Sequence, residues 1–289
     1  MSHRSNFRAS LGSRLSVALL AVSAPFALAG TLLVAGTAQA SALPTLTLAL
    51  TKSSITVGGT TQSGAVNVVS TASGVKEGAA ILFQLKPGDT VADVETALKG
   101  GAGKDPNEAT KYGSIVFDAE VNPGKTSEAQ TILEPGEYVA LGGAGEGGPK
   151  LKAPFTVTAA ASPAALPAAQ ATERSIEFDF RGPTTLHDGE LVRFENEGFL
   201  VHMDVAFPAK SLSAAKKIVK GLLTGKEKGL EKLVSGAPFE FAGPISHEAF
   251  QQETITAKPG WYVQACFMET QEGVPHTRLG MERILEIVK

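Results

Sequence analysis

"KPGWYVQACF", residues 258–267, places a Pro-Gly turn in front of a run of aromatic, β-branched and small apolar residues, the pattern of a strand entered from a tight corner. The chain contains this pattern twice. "EPGEYVALGG", residues 134–143, repeats the turn, the tyrosine two residues after the glycine, and the strand. Working outward, the segments before and after each copy also correspond, which points to an internal duplication. "LTLALTKSSITVGG", "SGAVNVVSTASG" and "AAILFQLKPGDTVADVETALKG" precede the first corner, and "APFTVTA" closes that half. "SIEFDFRGPTTLHDGE", "LVRFENEG" and "HMDVAFPAKSLSAAKKIVKGL" precede the second, and "ERILEIVK" closes it.

Short alternating segments bounded by Gly, Asp and Asn turns predict antiparallel strands, and one helical insert interrupts each set. Val91, Val94 and Leu98 mark the first insert; Leu212, Ala215, Val219 and Leu222 mark the second. Between the halves, "AAASPAALPAAQATE" (159–173) has no hydrophobic period and reads as an Ala/Pro linker. The expected fold is all-β: two tandem β-sandwiches spanning 44–158 and 174–289, each with a short helical insert.

Residues 1–40 read as an export signal. Arg4, Arg8 and Arg14 precede an uncharged apolar run from Leu15 to Gly36, and Ala38-Gln39-Ala40 forms a cleavage-type tripeptide. An uncleaved anchor is the alternative. Beyond residue 40 the chain keeps 23 of its 26 basic residues and all 29 acidic ones, a formal charge of −6, which disfavours nucleic acid as a partner. An extracytoplasmic location, secreted or in the cell envelope, follows. Such proteins use cysteines in pairs, yet Cys266 is the only one, so it is buried and inert, pairs with another chain, or binds something.

At this point the second half resembles the cupredoxins, the type 1 blue-copper domains of plastocyanin type. "VRFENEGFLVH" supplies Asn196, Gly198, Phe199 and His202 in the order of that family's first ligand loop. Pro259, Gly260 and Tyr262 lead to Cys266, and "HTRLGMERILEIV" supplies His276, Gly280 and Met281. The resemblance implies two cupredoxin-like Greek-key sandwiches. It also implies one copper ion held by His202, Cys266 and His276, with Met281 as a weak axial ligand. Two imidazoles and a thiolate with a distant thioether suit copper in both oxidation states on chemical grounds as well.

Two features depart from the family. Nine residues, "FMETQEGVP", separate Cys266 from His276 where the family has only a few, an enlargement whose closure entropy is on the order of 1 kcal/mol. Met203 follows the first histidine in place of an asparagine that commonly ties the ligand loops together. In the first half, alignment sets Ala80 opposite His202 and Gly142 opposite Cys266, and its closing loop has neither histidine nor methionine. That half is read as structural.

His187 and His247 read as solvated or capping residues. With four histidines beyond residue 40, a trinuclear copper cluster cannot be assembled, and no nucleophile-elbow, zincin or phosphate-loop motif occurs, so the chain is not expected to be an enzyme. Residues 210–232 hold seven lysines and two glutamates. They form a solvated helix face or a docking patch, around Lys216, Lys217 and Lys220, for an exported redox or copper-trafficking protein. The expected function is copper-dependent electron transfer or copper handling. The alternative is a metal-free sandwich serving binding or adhesion in the cell envelope with a relic ligand set.

Overall fold

A computed structural model describes residues 42–97, 99, 105–143 and 150–289; the export-signal reading falls on residues outside these. The first half runs β1 (Thr45–Leu50), β2 (Ile55–Gly59), β3 (Gly64–Ala72), β4 (Gly78–Leu85), α1 (Val91–Ala97), a 3₁₀ turn (Pro106–Lys111), β5 (Gly113–Val121), β6 (Thr126–Leu133), β7 (Gly136–Gly143) and β8 (Leu151–Val157). The second runs β9 (Ala171–Ile176), β10 (Asp179–Arg181), β11 (Thr185–His187), β12 (Leu191–Asn196), β13 (His202–Pro208), α2 (Leu212–Thr224), a 3₁₀ turn (Leu230–Leu233), β14 (Phe239–Ile245), β15 (Phe250–Thr254), β16 (Gly260–Ala265), a 3₁₀ turn (His276–Leu279) and β17 (Glu282–Val288). The protein is mostly β. Among the described residues no helix is long and apolar enough to cross a membrane.

An eight-stranded sheet, in the order β10-β9-β12-β15-β6-β3-β1-β2, draws strands from both halves. Facing it are a five-stranded sheet, β11-β17-β16-β13-β14, and a four-stranded sheet, β5-β4-β7-β8. The halves meet in both layers. In one, β15 pairs with β6 at Gln252 and Gln130, and Thr131 donates its hydroxyl to the Phe250 carbonyl. In the other, β14 lies against β5, with Ser246 N–H bonded to the Ile115 carbonyl and Ile115 N–H to Ser246 Oγ. One apolar cluster accordingly contains Phe83 and Val139 of the first half together with Phe194, Phe241, Cys266 and Met281 of the second.

Several details refine the sequence-based expectation. Three strand pairs, β1·β3, β9·β12 and β11·β17, are parallel rather than antiparallel. For β1 and β3 the reason is direct, since β2 turns back against β1 and β3 then turns again. The Ala/Pro stretch is held against the fold: Ala65 N–H reaches the Ala164 carbonyl, Gln252 reaches the Pro167 carbonyl, and residues 171–173 belong to β9. The insert at 210–232 is shorter as a helix than its charge run. Ser211 Oγ caps α2 by accepting from Ala214 N–H, and Gly225, with φ 66°, ends it.

Strand alternation decides what faces the site. Val263 and Ala265 point outward, where Ala215, Ile218 and Leu222 of α2 cover them, so Gln264 and Cys266 point into the sandwich. Both Pro-Gly corners are built alike. Tyr138 donates its hydroxyl to the Glu134 carbonyl and Tyr262 to the Lys258 carbonyl, each four residues back.

Candidate metal centre

The three nitrogen and sulfur candidates come from separate parts of the chain and meet. His202 opens β13, Cys266 follows the last residue of β16, and His276 opens the closing 3₁₀ turn; all three are fully buried. Their donor atoms lie within 4.8 Å of one another. Cys266 Sγ is 3.3 Å from His276 Nδ1 and 3.8 Å from His202 Nδ1, and the two rings are 4.9 Å apart at 57°. Metal bonds of about 2.0 Å to imidazole and about 2.3 Å to thiolate, at 110–120°, separate nitrogen and sulfur by about 3.5–3.7 Å. The two observed distances bracket that value, so the donor set fits a single ion without rearrangement of the backbone.

The nine-residue spacer does not hold His276 away, because most of it forms a small hairpin. Thr270 N–H bonds to the Val274 carbonyl, Gly273 N–H to the Thr270 carbonyl, and Glu269 bridges Pro275. At the base, His276 N–H bonds to the Met268 carbonyl, so the excursion leaves and returns at one place and the ligand loop is effectively short. Backbone bonds then link the candidate ligands: Cys266 N–H to the Met281 carbonyl, and Met281 N–H to the His276 carbonyl. Gly280, with φ 101°, turns the chain between them.

The residue after the first histidine also has a role that its side chain concealed. Met203 donates its backbone N–H to Cys266 Sγ at 3.5 Å. Tying the loops falls to Asn196. Its Nδ2 reaches the carbonyls of Leu200 and Ile245, both at 2.8 Å, and its Oδ1 accepts from Gly198 N–H and Ser175 Oγ. Met281 is buried in the same apolar cluster as Cys266, as is Met268.

Burial dominates the electrostatics. It pushes the His202 pKa down to about 3, helped by neighbouring His276, and the His276 pKa down to about 4, against the opposing pull of Asp105. Both imidazoles are therefore neutral at ordinary pH, the form that binds metal. Their Nε2 atoms are buried without hydrogen-bond partners, while both Nδ1 atoms face the sulfur. Phe178 meets the His276 ring edge-on at 5.0 Å. Two residues further along the strands, Asp204, Gln264 and Arg283 form a polar layer with Glu173, in which Gln264 Nε2 donates to Asp204 at 2.6 Å and Arg283 pairs with Glu173.

The first half lacks the site for a steric reason. Gln84 pairs with Tyr138 and Pro208 with Tyr262, so counting along the strands sets Gly142 at the register of Cys266 and Gly78, rather than Ala80, at that of His202. A Cβ at either glycine would meet a methyl of Leu50, at 2.5 Å from Gly78 and 2.6 Å from Gly142. Leu50 occupies the space that the candidate ligands His202 and Cys266 fill in the other half.

His187 and His247 stay outside the centre. His187 is exposed beside the Lys289 carbonyl, and His247 stacks on Phe199 while its Nδ1 lies 3.0 Å from the Gly198 carbonyl. Sequence reading missed Phe178 and Asp105, which reach the ligands only through tertiary packing.

No protein-family model and no curated protein matches the chain. Among solved structures it is similar to reduced auracyanin from Roseiflexus castenholzii, at 16% identity over 42% of this chain and 100% of that one, with a TM-score of 0.26. Auracyanin A from Chloroflexus aurantiacus, a "blue" copper protein, gives 18% identity over 40% and 96%, with a TM-score of 0.25. A reduced amicyanin variant gives 15% over 43% and 86%, also with a TM-score of 0.25.

Proposed function

We propose that this is an exported protein of two tandem cupredoxin-like Greek-key sandwiches, over 44–158 and 174–289, whose second half binds one copper ion for electron transfer or copper handling rather than catalysis. The observation that carries this reading is the convergence of His202 Nδ1, His276 Nδ1 and Cys266 Sγ in a buried pocket. Among the described residues this is the one group of three or more His, Cys, Asp or Glu donors placed to hold a metal ion, and its three members suit an N₂S copper set better than the four such ligands of a structural zinc site. Met281, buried in the same cluster as Cys266, would add a weak thioether contact to such an ion.

Copper bound there supplies a one-electron couple. The protein's own groups prepare for it: burial keeps both imidazoles neutral and excludes water, the Met203 N–H favours the thiolate, and the hairpin at 269–275 fixes the approach of His276. The C-terminal end of α2 lies beside the ligand loop, since a Cβ on Gly225 would run into Arg278, and the lysines of this insert are exposed. They offer Lys216, Lys217 and Lys220 to an acidic redox or copper-trafficking partner.

Adding Cu(II) to the purified chain should produce an intense thiolate-to-copper band that Cys266→Ala abolishes. A colourless mixture with a titratable thiol, together with no competition against a Cu(I) chelator, sinks the proposal and leaves the metal-free binding module. Chelator competition without colour indicates a Cu(I) carrier.

A further inference from the structure

The half that lacks ligands reaches into the ligand end of the other. Asn107, in the 3₁₀ turn Pro106–Lys111, accepts a hydrogen bond from the Val201 N–H through Oδ1 at 2.7 Å, across 94 residues of sequence. Val201 immediately precedes His202. The carbonyl of the same peptide unit, Leu200 C=O, accepts from Asn196 Nδ2 at 2.8 Å. The Leu200–Val201 peptide is therefore gripped at both polar ends, by an asparagine from each half. Asn107 is itself held, since its N–H and its Nδ2 both donate to Asp105 Oδ1, at 3.0 and 2.8 Å. A second line joins the halves at the same hub, because Ser246, bonded to Ile115, follows Ile245, whose carbonyl takes the other Asn196 Nδ2 bond.

We infer that Asn107 is a positioning residue for the metal centre, fixing the Leu200–Val201 peptide one residue ahead of His202, so that the ligand-free half sets the geometry of the ligand-bearing half. This rests on the copper reading above. A donor atom must be placed to about 0.2 Å for a good metal bond, and a peptide clamped at one end only can rotate about its flanking bonds. Asp105 contributes its negative charge, which bears on His276 from the same turn.

The test uses the full chain with Asn107→Ala, Asn107→Ser and Asn107→Asp. Cu(I) affinity is read by chelator competition and the Cu(II) form by its visible band, each at a temperature where the metal-free variant is folded. Asn107→Ala and Asn107→Ser should weaken copper by about tenfold or more and shift the band, because lost outer-shell partners cost about 10–100-fold. Asn107→Asp keeps an oxygen acceptor for Val201 N–H but sets a second carboxylate against Asp105 where the amide had donated at 2.8 Å, so it should recover only part of both. Wild-type affinity and band in the alanine and serine variants overturn the inference while leaving the copper reading intact. If neither variant folds at any temperature, Asn107 serves the fold and the inference fails. A wild-type chain that binds no copper removes the copper reading and this inference together.

Discussion

Replacing Gly198 by alanine tests the centre from its most crowded side. A Cβ there would lie 2.8 Å from His202 Nε2, 3.1 Å from His202 Cδ2 and 2.8 Å from the backbone nitrogen of Glu177. Gly198 cannot easily retreat, because its N–H is bonded to both Asn196 Oδ1 and the Ser175 carbonyl. Glu177 sits at φ 52°, in a turn with little freedom. The contact with the Glu177 nitrogen forces a backbone shift, and the imidazole must in addition move by about 0.6 Å relative to residue 198 to reach ordinary contact, several times the tolerance of a metal bond. Overpacking of this kind costs about 1–3 kcal/mol. If the strain falls on the metal-bound geometry, copper binds about 5- to 150-fold more weakly, at 1.4 kcal/mol per factor of ten. Chelator competition measures the affinity, and thermal unfolding of the metal-free chain separates a displaced ring from a weakened fold. Affinity within about twofold of wild type, with an unchanged thiolate band, would refute the placement of His202 against Gly198. Lower metal-free stability with full affinity would show that the loop absorbs the strain before it reaches the ring.

Four further outcomes follow from the same geometry. Ser246→Ala leaves the buried Ile115 N–H without its acceptor and should cost about 1–3 kcal/mol in denaturant unfolding; no loss means the seam between the halves is not held there. Burial pushes Asp118, Glu240 and Glu253 well above the usual carboxylate range, with Glu120 and Asp118 adding to the effect at Glu240. Acids with raised folded pKa values stabilise the fold at low pH and lose that contribution as pH rises, whereas His202 and His276, lowered to about 3 and about 4, act in the opposite sense only below about pH 6.5. Burial also raises Glu173 and Glu282 to about 7, so as pH rises from about 6.5 through 7 the metal-free chain should melt at progressively lower temperature, and a rising Tm contradicts the burial of these acids. Met281→Leu conserves volume and should keep the thiolate band while changing the reduction potential; an unchanged potential removes Met281 from the site. Reversing Lys216, Lys217 and Lys220 to glutamate should slow and desalt-sensitise the encounter with an acidic partner, and unaltered kinetics across ionic strength count against docking there.

The sequence determined the strands and the chemistry. Alternation around the two Pro-Gly corners identified β7 and β16, and the period of Leu212, Ala215, Val219 and Leu222 identified α2, because local burial patterns are written in residue spacing. It also named His202, Cys266 and His276 as the candidate donors that the structure brings together. Whether those donors meet was decided only in three dimensions. Spacing counted nine residues between Cys266 and His276, but a hairpin whose bonds run between Met268 and His276 and between Thr270 and Val274 brings the ends together. Residue identity at 203 concealed a backbone N–H directed at the sulfur, since every residue but proline carries that donor and its direction depends on the fold. The alignment of the halves slipped by two residues, to Ala80 instead of Gly78, because a period of two leaves the same face forward and only the ladder fixes the register. The grip of Asn107 on Val201 had no sequence signal at all. It arises from the docking of two sheets, where each contact joins residues that local pattern cannot relate.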